Sequence, residues 1–444
     1  MPAASSSERP AAGVPDVIHI TTRTITIYDG AVKHRTQILL QSIGTSSPVG
    51  TEPSRFEILR DQRPFSDLRR RARIGAVSSI DEFRYPQRGL HHVEVSAPKS
   101  VPWPEASISL EPRIVGAGRE MGLDDFCDLT ATTSLVVIVD ETLVHERYPD
   151  PARAEDRLLG FSATKSVLAQ VTGLAVGRGS LPDIDAEVCD YVPELLGSGY
   201  DAVTVRQVLT MTSGLDWAED YRDPDSRASQ LIGRWRDGRG GVRDLLGRIP
   251  AGQPPGTRYA YCSPDSMVLD WVRERATGQR FTEALANLWT RVGAERPAIV
   301  GLDGPIQSGG VEMAAAAMAA TARDWARIGA LQVEGRWGGD QVLDAGWVDD
   351  SSRPERSFLM PGRLPSTITT HAGFGYHWWP LDERGTKVMA DGSRGQFVYV
   401  DRSRRTVVVK TSAWRYEDPW WDRQCRDLCY VALPAIAEAA VTAF

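Results

Sequence analysis

Apolar residues in this chain change their period several times, and each change marks an element. Val17–Tyr28 is β-branched and alternating, Asp29-Gly30 supplies a hairpin turn, and Thr36–Gln41 fits a return strand. Ser134–Val139 and Leu143–Tyr148 flank Asp140-Glu141-Thr142 as a second hairpin. The period then becomes helical. Val167, Leu168, Val171, Leu174 and Ala175 recur at helix spacing, and Gly177 and Gly179 mark the stop. Helical pattern continues from about Ile184 to Leu288, including Thr204–Thr212, capped by Thr204 and stopped by Gly214. Strands return late: Gln396–Val400 and Thr406–Lys410 bracket Asp401–Arg405, and a helix over Trp420–Thr442 closes the chain.

Strands at both ends with helices between them predict an α/β fold of the α+β type. Its antiparallel sheet is flanked by helices, with an all-helical subdomain inserted at about 180–300. A small β-rich extension over 1–85 precedes the main body, 86–444, with a seam near Tyr85-Pro86. Its first 16 residues, rich in Ala, Ser and Pro, are expected to be disordered.

Composition narrows the function. Net charge is −7 with dispersed basic residues, which argues against nucleic acid as a partner, and Arg69-Arg70-Arg71 with Arg73 reads as a solvated face. No stretch approaches the roughly 20 apolar residues of a membrane span, and the start lacks a signal-peptide pattern. Five scattered cysteines without Cys-x-x-Cys suit free thiols and a cytoplasmic location. Seven histidines include no His-Glu-x-x-His, so neither a metal nor any other cofactor is expected.

One tetrad stands out: Ser162-Ala163-Thr164-Lys165. Of 51 basic residues only five are lysines, at 33, 99, 165, 387 and 410. Arginine stays charged at any useful pH, whereas a desolvated lysine can lose its proton and serve as a base. At i, i+3 on one helical face, such a base activates a serine hydroxyl. Serine is also a common N-cap and lysine a common surface residue, so spacing alone leaves both readings open. Ser96-Ala97-Pro98-Lys99 has the same spacing, but Pro98, Pro102 and Pro104 deny it a helix. A Ser–Lys pair also needs a proton shuttle. Tyr261, in the turn-rich Pro255–Ser263 loop before an apolar helix, is the candidate, and a cationic lysine beside it would ease its ionisation. Alone, a loop tyrosine is more often a packing residue.

Five motifs occur in order: Phe161-Ser162-Ala163-Thr164-Lys165-Ser166; Thr204–Leu215; Pro255-Gly256-Thr257 through Tyr261-Cys262-Ser263; Gly309-Gly310 with Thr321-Ala322-Arg323-Asp324; and Gly392-Ser393-Arg394-Gly395-Gln396. In these the chain resembles the serine β-lactamase and penicillin-binding-protein superfamily, class C-like branch. Tyr261-Cys262-Ser263, Glu219-Asp220-Tyr221 and Trp378-Trp379 are similar to the 6-aminohexanoate-dimer hydrolase, carboxylesterase-like subgroup. The resemblance spans about 86–444. It implies a β-lactamase-like fold, Ser162 as acylated nucleophile, Lys165 as its base and Tyr261 as acid–base partner. It further implies an oxyanion hole from the backbone N–H groups of Ser162 and Ser393, with Tyr221 and Trp379 lining the pocket.

Two departures matter. Where the superfamily usually carries a carboxylate-binding lysine, this chain has Ala390, followed by Asp391, an acid that would repel a carboxylate. Asp391 and its neighbour Arg394 are therefore candidate substrate contacts, Arg394 meeting either Asp391 or an anionic group, with a solvated surface arginine as the plainer reading. No acid stands around Leu231–Arg234, where Ile232 replaces the group that holds a substrate amine in the nylon-oligomer enzyme. The expected partner is a small-molecule ester or amide, its acyl group passing to water or to an amine or alcohol acceptor, with transfer slightly favoured. Plain esterase or amidase action is the alternative, and a non-catalytic penicillin-binding-like sensor on the same fold is the second. A Ser–His–Asp hydrolase lacks its Gly-x-Ser-x-Gly elbow.

Overall fold

The computed structural model describes residues 80–84, 90–116, 118–354, 371–415 and 421–444. Two compact units divide the chain, Met1–Glu57 and Ile58–Phe444, and all described residues belong to the second. The hairpin expected over Val17–Gln41 lies outside the described residues.

The strands are β1 (His92–Val95), the hairpin β2/β3 (Ile114–Gly116, Arg119–Met121), β4 (Thr132–Val139), β5 (Thr142–Arg147), β6 (Leu158–Leu159), β7 (Ala298–Gly301) and β8 (Met318–Ala320). There follow the hairpin β9/β10 (Arg336–Trp337, Asp340–Gln341), β11 (Trp379–Pro380), β12 (Lys387–Gly392), β13 (Gln396–Asp401) and β14 (Thr406–Ser412). Six of them form an antiparallel sheet in the order β11-β12-β13-β14-β4-β5, which joins the two ends of the chain. Four others make a smaller antiparallel sheet, β1-β7-β8-β6. Helices fill the interval between: Val188–Tyr191, Val205–Leu209, Arg227–Asp237, Val242–Leu246, Ser263–Thr277 and Phe281–Arg291. These helices lie where an inserted helical subdomain was expected, at about 180–300.

β4, β13 and β14 are buried along their whole length, which requires cover on both faces of the sheet. Alternation sorts their side chains. Val136, Ile138, Val398, Val400, Val407 and Val409 enter one core with Trp325 and Ile328 of the Ala322–Glu334 helix. Leu135, Val137, Phe397, Tyr399 and Val408 enter a second, with Leu428, Leu433 and Ile436 of the C-terminal helix Arg426–Ala443. That helix was expected from Trp420; it begins as a wide π turn at Trp421–Cys425. At the β4–β5 hairpin Asp140 and Glu141 both take positive φ, 46° and 59°, so the turn holds two residues and Thr142 already belongs to β5.

Two glycines set the distances that matter for the site. A side chain at Gly392, the end of β12, would lie 2.1 Å from the Gly160 carbonyl oxygen and 3.2 Å from the Ala163 nitrogen. Its absence lets β12 touch the turn that carries Ser162. Gly329 lets the Ala322–Glu334 helix sit equally close on the sheet, since a Cβ there would meet Val407 Cγ1 at 2.5 Å and Val398 Cγ1 at 2.9 Å.

Gly329→Ala should therefore lower the midpoint of denaturant unfolding. Overpacking costs roughly 1–3 kcal/mol, and alanine returns up to about 1 kcal/mol of helix propensity. The expected net loss is about 1–2 kcal/mol at unchanged m-value. A midpoint equal to or above that of the parent would mean the helix can lift from the sheet without cost.

Candidate active site

Ser162 lies in a tight turn, Phe161–Ala163, that leads into the helix Thr164–Gly177. This helix is buried on nearly all sides, from Thr164 through Ala175, as expected of one passing through the core. Ser162 itself is partly exposed, so the hydroxyl opens at the helix entrance. Phe161, just before it, has a φ of 46°, a conformation that costs a bulky residue energy and recurs at functional sites. Ser96–Lys99, the other Ser-x-x-Lys, forms no helix.

Lys165 is 2 % exposed. Its Nζ lies 3.1 Å from Ser162 Oγ and 2.7 Å from the Ala315 carbonyl oxygen. Burial pulls its pKa from 10.5 down to about 8, with the charge of Glu219 opposing and Cys262 adding a smaller opposing effect. The carbonyl of Ala315 can only accept, so the amine donates there. In its neutral form it keeps a lone pair for the serine proton. The backbone beneath is held too: His377 lies with Nδ1 3.3 Å from the Lys165 carbonyl, and the His377 carbonyl accepts from Ser166 Oγ at 2.7 Å. Burial, helped by Lys165, drives the His377 pKa down to about 3, so this imidazole is neutral.

Tyr261 comes to the same place from its loop. Lys165 Nζ stands 5.3 Å from its ring centroid, and the ring stacks on Trp379 at 5.7 Å and 14°. The ionisation eased by Lys165 that the sequence suggested is reversed. Burial first, then the Glu219 charge, push the phenol well above its ordinary value, outweighing a Ser162 hydroxyl within hydrogen-bond reach. Tyr261 is thus a proton donor at neutral pH.

The remaining candidates divide. Ser393 follows Gly392, whose contact with the Gly160–Ala163 turn brings the two segments together. Among the described residues, neither the Ser162 nor the Ser393 N–H donates to a backbone carbonyl. Tyr221 is partly buried and donates its hydroxyl proton to Glu219. Trp379 is 6 % exposed, wedged among Tyr261, Phe374 and His371. Asp391 shares the face of β12 that carries Met389 toward the C-terminal helix, where Arg426 and Tyr430 Oη (2.9 Å) hold its carboxylate. Its charge is therefore spent in a buried ion pair, and the repulsion expected of it is largely cancelled. Nor is Arg394 a solvated arginine. Its Nε donates to the Trp414 carbonyl at 2.8 Å and its guanidinium lies 4.2 Å from the Phe83 ring centroid.

Glu219 is a residue of the candidate site that spacing did not reveal. It accepts from Trp217 Nε1 (2.8 Å), the Ser263 N–H (2.6 Å), Ser263 Oγ (3.2 Å) and Tyr221. It caps the helix Ser263–Thr277, where a carboxylate is favoured, and ties the Tyr221 loop to the Tyr261 loop. Its partners lie up to 44 residues away, so only the Glu219-Asp220-Tyr221 resemblance pointed to it. Among the described residues, no group of three or more His, Cys, Asp or Glu converges as metal ligands do. All five cysteines are buried thiols, outside any disulfide. No described helix is long and apolar enough to cross a membrane.

The chain is similar to several known proteins. A β-lactamase family model matches residues 129–420. The 6-aminohexanoate-dimer hydrolase of Paenarthrobacter ureafaciens is 31% identical over 306 residues, 67% of this chain and 76% of that protein. Among solved structures, "Putative 6-aminohexanoate-dimer hydrolase from Bacillus anthracis" superposes with a TM-score of 0.66 at 21% identity, covering 86% of this chain and 97% of the other. EstCE1, a hydrolase with promiscuous acyltransferase activity, reaches 0.51 at 16% identity over 67% of this chain and 94% of its own.

The buried amine predicts a pH profile. If only neutral Lys165 takes the serine proton, kcat/KM on a neutral ester rises with pH through a limb near pH 8. Glu219 holds that pKa up, so Glu219→Gln should move the limb to lower pH. A limb that stays in place, or moves upward, would mean that another group controls it.

Proposed function

The chain belongs to the β-lactamase family and is a serine-type hydrolase of esters or amides, and from that premise we propose that it works through an acyl-enzyme on Ser162. The observation that carries this reading is the buried Lys165 amine 3.1 Å from Ser162 Oγ, with the Ala315 carbonyl taking one of its N–H groups. Ser162 Oγ attacks the substrate carbonyl carbon as its proton passes to Lys165 Nζ. The carbonyl oxygen becomes an oxyanion between the N–H groups of Ser162 and Ser393. Tyr261, protonated at working pH, gives its proton to the departing oxygen or nitrogen and regains one from Lys165. Deacylation reverses the roles: the acceptor loses a proton to this relay as its oxygen or nitrogen bonds to the acyl carbon, the bond from that carbon to Ser162 Oγ breaks, and the relay returns the proton to Oγ.

Tyr221 supports the pocket from the Glu219 side, and Trp379 acts mainly by fixing the Tyr261 ring. Asp391 and Arg394, both engaged with protein groups, serve the site through backbone placement rather than as substrate contacts. The acceptor is water or a bound amine or alcohol. We favour transfer slightly, because the acylation residues are present while Ala390 stands in place of the carboxylate-binding lysine. For the same reason penicillins and cephalosporins should turn over poorly beside small esters.

Ser162→Ala should abolish the acyl mass gained from a nitrophenyl ester or a fluorophosphonate while leaving the fold intact. An alanine variant that still gains that mass would remove Ser162 from the mechanism. Lys165→Arg keeps charge but cannot supply a neutral amine. It should lose at least about a hundredfold in kcat, the low end for a general base, and near-parental activity would reduce Lys165 to a source of charge.

Partitioning tests the acceptor. With one acylating ester, added amine or alcohol should divert product from free acid to amide or new ester, and the diversion should saturate. A tenfold preference needs only about 1.4 kcal/mol between the deacylation barriers. A broad acceptor screen that yields free acid alone would make the enzyme a plain esterase or amidase.

A further inference from the structure

Residues 80–84 fall on the extension side of the seam expected near 85, yet Phe83 and Arg84 pack against the segment that leads into Ser162. Phe83 is 1 % exposed and shares a small core with Ile80, Ala152, Leu158 and Ala413. Its carbonyl accepts the Leu159 N–H at 2.9 Å, three residues before the nucleophile. Arg84 continues the latch: it bridges to Leu158 and grips Asp156 with Nε and Nη2 at 2.8 and 2.9 Å.

The Phe83 ring is what makes the placement informative. It meets Phe161 edge to face, at 6.0 Å and 82°. The Arg394 guanidinium lies 4.2 Å from its centroid and 6.0 Å from that of Phe161, so the three groups form one cluster, and Arg394 is itself fixed by the Trp414 carbonyl. Phe161 and Arg394 are the immediate neighbours of Ser162 and Ser393. Both hold left-handed backbones, with φ of 46° and 64°, which non-glycine residues adopt only where their surroundings impose it. Each thus needs an anchor for its side chain, and one buried ring supplies both.

We propose that Phe83 is a positioning residue for the oxyanion hole, clamping Phe161 and Arg394 so that the Ser162 and Ser393 N–H groups converge on one point. The inference rests on the acyl-enzyme reading given above. It means that a segment outside the resemblance, and upstream of the residues the family model matches, completes the catalytic site. The donors are backbone groups, so their aim depends on the φ/ψ of flanking residues, and a displacement near 1 Å can cost about a hundredfold in rate.

The test compares full-length Phe83→Ala, Phe83→Leu and Ile80→Ala at a temperature where all are folded. Phe83→Ala should lower kcat on a nitrophenyl ester about thirtyfold to a hundredfold, with KM within about threefold, as for an interaction made in the transition state. Its affinity for an arylboronic acid, whose tetrahedral adduct places an oxygen in the oxyanion hole, should fall by a similar factor. Phe83→Leu, which keeps bulk, should recover part of both. Ile80→Ala, in the same small core, should lower Tm but leave kcat within about threefold. Arg394→Gln should resemble Phe83→Ala, and the double variant should lose little more than either alone, because both loosen one clamp. Should Phe83→Ala fail to fold, Phe83→Leu and Arg394→Gln carry the comparison. Parental kcat in those variants, or an equal kcat loss in Ile80→Ala, overturns the proposal. If Ser162→Ala remains active, the acyl-enzyme reading fails instead. If Ser162→Ala is inert while the Phe83 variants run at the parental rate, only the clamp fails.

Discussion

Removing a single amine from water is the constraint on which the active site depends. Lys165 sits at 2 % exposure with a serine hydroxyl and a carbonyl as its hydrogen-bond partners and, among the described residues, no carboxylate bonded to it. Desolvation penalises the ammonium by on the order of 3 kcal/mol relative to the amine, the energy equivalent of a pKa drawn from 10.5 to about 8. A carboxylate in direct contact would restore the charge and quench the base. Glu219 is close enough to oppose the shift but is saturated by Trp217, Tyr221 and both donors of Ser263. It thereby acts through space on Lys165 and Tyr261 together, keeping the first from titrating too low and the second from ionising. One charge thus helps give the two groups the protonation states that the proposed mechanism requires.

Such a site demands a scaffold that moves little. The sheet provides it because β4, β13 and β14 are covered on both faces, each alternate residue belonging to a different core. The nucleophile turn is pressed between that sheet and the smaller one: Gly160 donates its N–H to Met318 of β8 at 2.9 Å, and Gly392 of β12 leaves no room for a side chain. A side chain at Gly392 would separate the two backbone segments whose N–H groups are proposed to form the hole, and one at Gly160 would strike the Trp325 ring. The glycines here set distance, and the distance sets chemistry.

Much of this was legible in the residues. Period-2 and period-3.6 stretches gave the central hairpin, the nucleophile helix, the late strand pair and the inserted helices with boundaries close to those observed, because in each of them side-chain burial dictates the period. Ser162 and Lys165 were legible for a local reason, since i, i+3 on a helix is a fixed distance. Residues whose partners are remote were not. Glu219 and Ser263 are 44 residues apart, and Phe83 acts on Phe161 and Arg394, neither near it in sequence. Tyr261 was legible as a candidate but not in its protonation. Lysine proximity suggested easier ionisation, and only the depth of burial and the Glu219 charge reverse that sign.

Asp391 shows most clearly why a motif position has to be read in three dimensions. Aligned along the strand, it follows the place where a lysine would receive a carboxylate, and it reads as a repulsive substitution. The strand's alternation sends its side chain instead to the face shared with Met389, where Arg426 and Tyr430 of the C-terminal helix receive it. Breaking such a buried pair by removing one partner costs several kcal/mol, because the other charge is left unsatisfied. Its role is therefore to fasten the last helix to the strand that ends at Gly392 and Ser393. The chain has thus put an internal ion pair beside Ala390, which stands where relatives in the superfamily carry a substrate-binding cation. On the proposed reading, selectivity in this pocket then comes from shape and from the Tyr221–Glu219 side rather than from a point charge on β12. That is the physical reason to expect a neutral ester or amide over a carboxylate-bearing lactam.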